Sequence, residues 1–306
     1  MRTPESYPSK VMLVGEYGLI IGGSALTIPF NKFKMQVRSI GDIPPEKADE
    51  AEYSRQFLEK IYQYLSELSG NPFHVRPDMD LFSNNLNRYW IDMNIPTAYG
   101  IGSSGAFSAA IYDIFFPGVS NMTLEQQRND LAVIESFFHG KSSGEDALTC
   151  HAGTPLYFTT EGNIRRVEFK PSEITGGYRL FLLDSGERLE TEALANHFQE
   201  EMNASGFSFA IRNEFQVINQ KLIEILLGER EADPAMLFRA ISDFQFTHFR
   251  KMIPDSVIDA WIEGQVSNDY YLKIQGSGGG FMLGITHESS MHSLEERFKK
   301  KVIWIE

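Results

Sequence analysis

A glycine- and serine-rich segment of this 306-residue chain has residue types and spacing that suit phosphate binding. It runs Pro96-Thr-Ala-Tyr-Gly-Ile-Gly-Ser-Ser-Gly-Ala106, between a predicted strand and a predicted helix. Its three glycines and two serines are Gly100, Gly102, Gly105, Ser103 and Ser104. The glycines let backbone N–H groups approach a ligand closely, and the helix N-terminus directs its positive end to the same place. These features indicate a phosphate cradle, with a tight surface turn as the alternative.

A second segment places acidic residues around a short loop, and it reads Glu135-Ser-Phe-Phe-His-Gly-Lys-Ser-Ser-Gly-Glu-Asp146. Glu135 and His139 are four residues apart, so they share one face of the last helical turn. The helix dipole disfavours a carboxylate at this end by up to ~1 kcal/mol, which indicates a nearby cation such as a metal ion. A plain Glu–His surface pair is the alternative. Asp146 follows the loop and can act as a base or only form a turn.

A third segment is the glycine run Gly276-Ser-Gly-Gly-Gly280, which lies between two apolar, strand-like stretches. Glycine within a strand weakens it by up to ~1 kcal/mol relative to alanine, so a close backbone approach is the usual reason for it. A bulge or a bend of the sheet is the alternative.

The glycine spacing G-x-G-x-x-G from residue 100 also matches the dinucleotide-binding fingerprint, but its context differs. In that fold the glycines follow the strand directly, whereas residues 96–99 intervene here. A helix start at Asn121-Met-Thr123 occupies the place where an acidic residue is expected, about 20 residues later. A dehydrogenase is therefore disfavoured.

Three segments, in this order, resemble the three motifs of the GHMP kinase superfamily, which is named for galactokinase, homoserine, mevalonate and phosphomevalonate kinases. The run Pro8-Ser-Lys-Val-Met-Leu-Val-Gly-Glu-Tyr-Gly18 is similar to the first motif, P-G-K-x-x-L-x-G-E-H, and Gly22 to Leu26 continue the similarity. Pro96 to Ala106 resembles the phosphate-loop motif P-x-x-x-G-L-G-S-S-A, and Lys273 to Gly280 resembles the third motif, K-x-x-G-x-G-G-G. The ordered triple spans nearly the whole chain.

Within the superfamily, the run from His139 to Asp146 is similar to the H-G-x-P-S-G-x-D of mevalonate kinases. Glu135 falls where that family keeps its magnesium-binding glutamate, and Gly186 to Thr191 resembles its substrate-side T-G-x-x-x-S-T segment. Diphosphomevalonate decarboxylases share the fold but lack the H-G-x-x-S-G-x-D run. The resemblance therefore favours phosphorylation without decarboxylation.

The chain departs from these patterns at several positions. Tyr17 replaces the histidine of G-E-H, Ser9 replaces the glycine of the first motif, and Gly105 replaces the first alanine of S-S-A. Ser142 stands where proline is expected, whereas Ser143 is kept. Because the change at Tyr17 bears on the acceptor pocket, the resemblance determines the substrate less well than the ATP chemistry.

The resemblance implies transfer of the γ-phosphoryl group of ATP to an alcohol, with ATP and Mg²⁺ as cofactors. Asp146 would accept the hydroxyl proton, and Lys10 would keep Asp146 ionised and stabilise the transferring group. Glu135 with Ser104, or with Ser103, would ligate Mg²⁺. The residues implied for ATP binding are Pro96, Gly100, Ile101, Gly102, Ser103, Ser104 and Gly105.

The leading acceptor implied by the resemblance is mevalonate, a carboxylate-bearing small alcohol of isoprenoid biosynthesis. An arginine such as Arg188 suits that carboxylate because its planar fork can bind both oxygens. The residues implied for the acceptor pocket are Glu16, Tyr17, His139, Ser143, Gly144, Arg188, Thr191, Gly276, Ser277 and Gly278.

Local patterns predict the elements that must position these residues. Predicted strands span residues 11–14, 19–21, 89–95, 155–160, 164–169, 180–184, 281–285 and 302–305, the first two as a strand pair. Predicted helices span 51–68, 106–116 and 289–299, with further helices through Ile211 to Ile225 and after Asp233-Pro234. A capping box of Thr123 and Gln126 begins one more helix, which Gly140 ends.

Strands and helices are interspersed without a regular βαβ repeat, which predicts an α+β protein in two parts. The proline- and glycine-containing stretch 170–177 is the predicted boundary between an ATP-binding domain, residues 1–170, and a C-terminal domain, residues 171–306. The resemblance implies a ribosomal-protein-S5-like α/β fold for the first part. It implies a ferredoxin-like α+β fold for the second.

Composition disfavours several classes of partner. The 28 Lys and Arg against 41 Asp and Glu leave a net charge of −13, so nucleic acids and anionic membrane surfaces are repelled. The single cysteine, Cys150, can form neither an intramolecular disulfide nor a thiolate zinc cluster. No apolar run approaches the ~20 residues that span a bilayer, and no secretory signal is visible, so we expect a cytoplasmic protein.

Two further hypotheses stay open from the sequence. One keeps the kinase chemistry but changes the acceptor to phosphomevalonate, a sugar or homoserine. The other is a GHMP-fold regulatory or binding protein that has lost catalysis, which Tyr17 favours and the joint retention of Lys10, Glu135 and Asp146 opposes. The oligomeric state is also open, with a homodimer as one expectation.

Overall fold

The computed structural model describes residues 6–306, apart from the side chains of His139 and Thr191. Its strands pair in two antiparallel sheets among many helices, so the predicted α+β class is confirmed. The described chain divides into two compact units. Unit 1 comprises residues 6–10, 29–97 and 102–154, and unit 2 comprises residues 11–28, 98–101 and 155–306. The domain boundary predicted at residue 170 stays a prediction.

Residues 6–306 contain nine strands and eleven α-helices. The strands are β1 (Ser6–Val14), β2 (Ala25–Ser39), β3 (Tyr89–Met93), β4 (Leu156–Phe158), β5 (Ile164–Arg166), β6 (Tyr178–Asp184), β7 (Tyr270–Ile274), β8 (Phe281–His287) and β9 (Val302–Ile305). The helices are α1 (Ala48–Glu67), α2 (Met79–Asn85), α3 (Ser103–Phe115), α4 (Leu124–His139), α5 (Glu145–Ala152), α6 (Thr191–Glu201), α7 (Ser205–Ala210), α8 (Gln216–Leu226), α9 (Pro234–His248), α10 (Ile258–Ser267) and α11 (Met291–Phe298). None of the described helices is long and apolar enough to cross a membrane.

Unit 1 contains helices α1 to α5 and the end of β2, which pairs antiparallel with β3. Helix α1 lies against β3 and buries Leu58, Ile61 and Leu65 on one face. The helix was predicted from the spacing of Phe57, Ile61, Tyr64 and Leu68, of which only Ile61 belongs to this buried face. Helices α3, α4 and α5 pack on one another, and nearly every residue of α3 after its first turn is buried. This mutual packing fixes the start of α3, the end of α4 and the start of α5, where the residues of the candidate site lie.

The start of α4 confirms the predicted capping box. The Thr123 hydroxyl accepts a hydrogen bond from the Gln126 N–H, and the Gln126 side chain accepts one from the Thr123 N–H. Gly140 ends the helix with φ of 69°. Such caps satisfy backbone groups that the helix itself leaves unpaired, so α4 begins and ends where local sequence dictates.

Unit 2 contains the predicted hairpin of β4 and β5, and β4 also pairs antiparallel with the start of β2. Its other sheet has the strand order β7-β8-β6-β9, with every neighbour antiparallel. Helices α9 and α10 cover β7. Asp233 caps α9 by accepting the Ala235 N–H at 2.9 Å, as its sequence predicts.

In the first forty residues, one prediction was wrong and one strand was missed. Leu19–Ile21 forms a 3₁₀ turn rather than a strand, because Gly22 adopts a left-handed conformation and its N–H donates back to the Leu19 carbonyl. The 15-residue strand β2 was not predicted. Pro29, Lys32 and Lys34 interrupt its apolar alternation, and pairing with three strands, β1, β3 and β4, compensates.

Gly284 provides a test of the packing within unit 2. It lies in β8 opposite Phe181 of β6, and a Cβ added to it would lie 2.2 Å from the Phe181 ring. Because Phe181 is fully buried, we expect Gly284→Ala to lower the free energy of unfolding by about 1–3 kcal/mol in urea titrations. Gly206→Ala in α7 is the control, since no atom lies within 4 Å of its added Cβ. Equal effects of the two substitutions would contradict this packing.

Candidate active site

The candidate site in unit 1 centres on a buried ammonium paired with a carboxylate. Lys10 lies in β1 and is fully buried, and its Nζ is 2.9 Å from Oδ1 of Asp146. Asp146 is the second residue of α5, and its side chain keeps an exposed fraction of 32%. A buried ammonium without a partner is strongly destabilising, so the pair ties β1 to α5. The exposed part of the carboxylate stays accessible to a further group.

Two glycines of the second motif let α3 approach these two residues. Gly102 precedes α3 with φ of 76°, and a Cβ there would lie 2.8 Å from Cγ of Lys10. A Cβ on Gly105 would lie 2.9 Å from the backbone carbon of Asp146. The thiol of Cys150 also contacts the Gly102 carbonyl at 3.8 Å. Larger residues at either glycine would therefore displace the ion pair.

The N-terminus of α3 supplies the anion-binding features that the sequence predicts. Ser103 and Ser104 form its first turn, and the first hydrogen bond of the helix runs from the Ala106 N–H to the Gly102 carbonyl at 2.9 Å. The N–H groups before this point face beyond the helix end, where the helix dipole is positive. A phosphate fits this position beside the Lys10 ammonium.

Glu135, on the last turns of α4, is buried and held by two hydroxyls. Its Oε1 accepts from Ser104 Oγ at 3.0 Å, and its Oε2 accepts from Ser142 Oγ at 2.6 Å. Burial, followed by the charge of Asp146, raises the pKa of Glu135 to about 7, although both hydroxyls and the Lys10 charge act in the other direction. Lys10 supplies part of the positive charge that the sequence predicts near Glu135.

The donor set around Glu135 suits a metal ion that is shared with a phosphate. In the described chain, no group of three or more His, Cys, Asp and Glu residues is arranged to hold a metal by itself. Ser104 and Glu135 together offer two oxygen ligands 3.0 Å apart. Mg²⁺ is typically bound by one or two carboxylates together with phosphates and water, so these residues fit Mg²⁺ bound with a nucleotide.

Unit 2 holds a second buried ion pair, between Glu16 and Lys273. Both residues are buried, and Lys273 Nζ also donates to the Ile274 carbonyl at 2.9 Å. Glu16, predicted in the acceptor pocket, is therefore bound to the first residue of the third motif. Sequence reasoning missed this pairing, although a lysine within the apolar strand β7 is a signal for a buried acidic partner.

Tyr17, which replaces the histidine of the family pattern, forms a hydrogen bond and packs on two aromatic rings within unit 2. Its φ is 59°, and its hydroxyl donates to the Ser277 carbonyl at 2.6 Å. Its ring packs on Phe198 and Phe249 with centroids 4.7 and 5.4 Å away, and burial raises its pKa. Tyr17 thus connects the first motif to the glycine run of the third.

Glycines of the second and third motifs also pack backbone against backbone in unit 2. A Cβ on Gly100 would lie 2.3 Å from the Gln275 carbonyl oxygen, and one on Gly276 would lie 2.8 Å from the Gly100 carbonyl oxygen. A Cβ on Gly280 would lie 2.3 Å from Cα of Tyr99. The close backbone approach expected for the glycine run is therefore present between chain segments.

Several solved structures that resemble this chain are kinases of small molecules. L. major mevalonate kinase in complex with R-mevalonate is 17% identical with a TM-score of 0.65, and the match covers 99% of this chain and 95% of that chain. Streptococcus pneumoniae phosphomevalonate kinase is 13% identical with a TM-score of 0.63, over 99% and 98% of the two chains. Lactococcus lactis galactokinase complexed with galactose is 11% identical with a TM-score of 0.62, over 99% and 93%. This chain has the GHMP kinase fold.

The likeness is one of structure, since neither a scan against protein-family models nor a search of curated proteins finds a match. The GHMP kinase fold occurs in these neighbours with three differently named activities. The fold therefore does not by itself select an acceptor for this chain.

The remaining predicted residues of the GHMP kinase motifs occupy varied positions. Arg188 is exposed, with its guanidinium 5.7 Å from the centre of the Tyr99 ring in unit 2. The side chains of His139 and Thr191 lie outside the described part of the structure. Pro96, Ser103 and Ser277 are half-buried, Ile101, Gly144 and Gly278 are buried, and Ser143 is exposed. Their roles stay predictions.

Glu145 is a buried acid that the sequence does not single out. It precedes Asp146 at the first turn of α5, where a glutamate is ordinary on any exposed helix, so no local signal marks it. Its exposed fraction is 5%. Burial raises its pKa to about 7, against the opposing charge of Arg128.

The shift at Glu145 predicts a pH dependence of stability. The folded chain keeps this proton to about pH 7 and the unfolded chain only to about 4.5, so the contribution of Glu145 to the free energy of unfolding falls as pH rises through that window. Between pH 5 and 8, we expect the free energy of unfolding of Glu145→Gln, measured by chemical denaturation, to fall by about 2–3 kcal/mol less than that of the unchanged protein. Glu67→Gln, at an exposed position of α1, is the control and keeps the original dependence. Parallel pH curves for Glu145→Gln and the unchanged protein would contradict the burial of a protonated Glu145.

Proposed function

We propose that this chain is an ATP-dependent phosphotransferase that moves the γ-phosphoryl group of ATP to the hydroxyl of a small molecule. The observation that carries the proposal is the ion pair of buried Lys10 with half-buried Asp146 at 2.9 Å, beside the N-terminus of α3. Phosphoryl transfer has a loose transition state, so positioning and charge stabilisation supply most of its acceleration. An ammonium, a carboxylate and a helix N-terminus in one unit supply both.

The phosphates of ATP would lie at the start of α3, against the backbone of Gly102, Ser103 and Ser104. Ser104 and Glu135 would hold Mg²⁺, whose charge would offset that of the phosphates. The support is the contact between these two side chains at 3.0 Å and the affinity of Mg²⁺ for oxygen donors.

Asp146 would take the proton from the acceptor hydroxyl. Lys10 would stabilise negative charge on the transferring group. The exposed third of the Asp146 side chain gives an acceptor access to it, whereas full burial of Lys10 keeps its ammonium in place. Both roles depend on the contact between Lys10 and Asp146 rather than on either residue alone.

The acceptor that the residues support best is mevalonate. The run from His139 to Asp146 resembles that of mevalonate kinases, and one structural neighbour is a mevalonate kinase in complex with R-mevalonate. Phosphomevalonate, a sugar and homoserine are the other acceptors to be compared.

An acceptor panel tests this assignment. With ATP and Mg²⁺ and a coupled assay for ADP, we expect the highest kcat/KM for mevalonate among mevalonate, phosphomevalonate, galactose and homoserine. Failure of mevalonate alongside turnover of another acceptor would remove the narrower assignment and keep the kinase. Turnover of none, with no ATP binding that depends on Mg²⁺, would favour a binding protein without catalysis.

Substitution of the base tests the mechanism. We expect Asp146→Asn to lower kcat by about 10²- to 10⁴-fold, because general-base catalysis contributes in this range. ATP affinity measured by calorimetry should change little, since Asp146 does not hold the nucleotide. Asp259→Asn, on the exposed side of α10, is the matched control and keeps full turnover. Unchanged turnover in Asp146→Asn would contradict the mechanism.

A further inference from the structure

We infer that Ser142 is a positioning residue that orients Glu135 toward its metal ion. The inference rests on the proposed function, because it concerns the same magnesium-binding glutamate. Ser142 lies on the loop between α4 and α5, half-buried, and its hydroxyl is 2.6 Å from Oε2 of Glu135. No role for this residue follows from the family pattern, which has proline here.

The neighbouring hydrogen bonds fix the direction of this contact. The N–H of Gly144 donates to Ser142 Oγ at 3.0 Å, so that oxygen already accepts one bond. A serine hydroxyl has one proton to donate, and in this geometry it points at Glu135. Oε2 of Glu135 is therefore an acceptor, held from one side by a donor that is itself fixed.

The position of Ser142 is set by another serine, Ser136, which lies on α4. The backbone N–H of Ser142 donates to Ser136 Oγ at 3.1 Å, and Ser136 Oγ donates to the Ala132 carbonyl at 2.7 Å. The loop is thus bonded to the last turns of the helix that carries Glu135. A proline at residue 142 could donate neither to Ser136 nor to Glu135, because it has no N–H and no hydroxyl.

The two oxygens of Glu135 are consequently assigned to different partners. Oε2 is occupied by Ser142, and Oε1 lies on the side of Ser104 at 3.0 Å. Partners that hold a metal ligand from behind fix its orientation, and their loss typically weakens metal binding 10- to 100-fold. Ser142 would thereby leave Oε1 and the Ser104 hydroxyl as the two oxygens that hold Mg²⁺.

Calorimetry with ATP tests this role without measuring turnover. ATP is titrated into the protein once with Mg²⁺ and once with EDTA, and the ratio of the two dissociation constants gives the affinity gained through the metal. We expect Ser142→Ala to lower that gain about 10- to 100-fold while ATP affinity in EDTA is unchanged. Ser142→Thr, which keeps the hydroxyl, should restore it.

Ser83→Ala is the matched control, since it removes a serine hydroxyl bond on α2 in the same unit and should leave the gain unchanged. A merely structural role for Ser142 would lower the unfolding temperature and reduce ATP affinity equally with and without Mg²⁺, and this result would overturn the inference. A full gain in Ser142→Ala would overturn it too and leave the proposed function standing. An unchanged protein that binds ATP without any Mg²⁺ dependence would overturn both.

Discussion

The burial of one ammonium group constrains this molecule more than any other interaction. Lys10 is fully buried in β1, and it is stable there because Asp146 of α5 lies 2.9 Å away. Desolvating a charge costs several kcal/mol unless a partner compensates for it, so the strand and the helix must keep their positions for the fold to persist. Gly102 and Gly105 are dictated by the same pair, since side chains there would collide with Lys10 or with the backbone of Asp146. Stability and chemistry thus depend on the same atoms.

A parallel arrangement holds the motif residues of unit 2. Glu16 pairs with Lys273, the Tyr17 hydroxyl donates to the Ser277 carbonyl, and Gly100 packs on the Gln275 carbonyl. The sequence marks these residues as ligand-binding, and in unit 2 the same residues also form the contacts between segments of the three motifs. The glycine-rich character of these segments therefore has a packing cause beside any role in binding phosphate.

The parts of the fold that sequence predicts are those determined locally. The capping box at Thr123 and the cap at Asp233 depend on residues within one turn, and both were predicted correctly. Strand β2 was missed because its pairing with β3 and β4, rather than its own alternation, stabilises it. In the candidate site, Lys10 and Asp146 were brought together by a family resemblance, since no local pattern connects residues so distant in sequence. The hydroxyl of Ser142 and the burial of Glu145 needed three-dimensional packing to become visible.

A double-mutant cycle on the rate of phosphoryl transfer tests the central claim most directly. Single-turnover rates would be measured for the unchanged protein, Lys10→Met, Asp146→Asn and the double variant, with ATP, Mg²⁺ and the best acceptor. If the pair acts as one unit, each single change lowers the rate steeply and the double variant is scarcely slower than the worse single one. Losses that simply multiply, or a double variant that transfers phosphate at the original rate, would contradict the account.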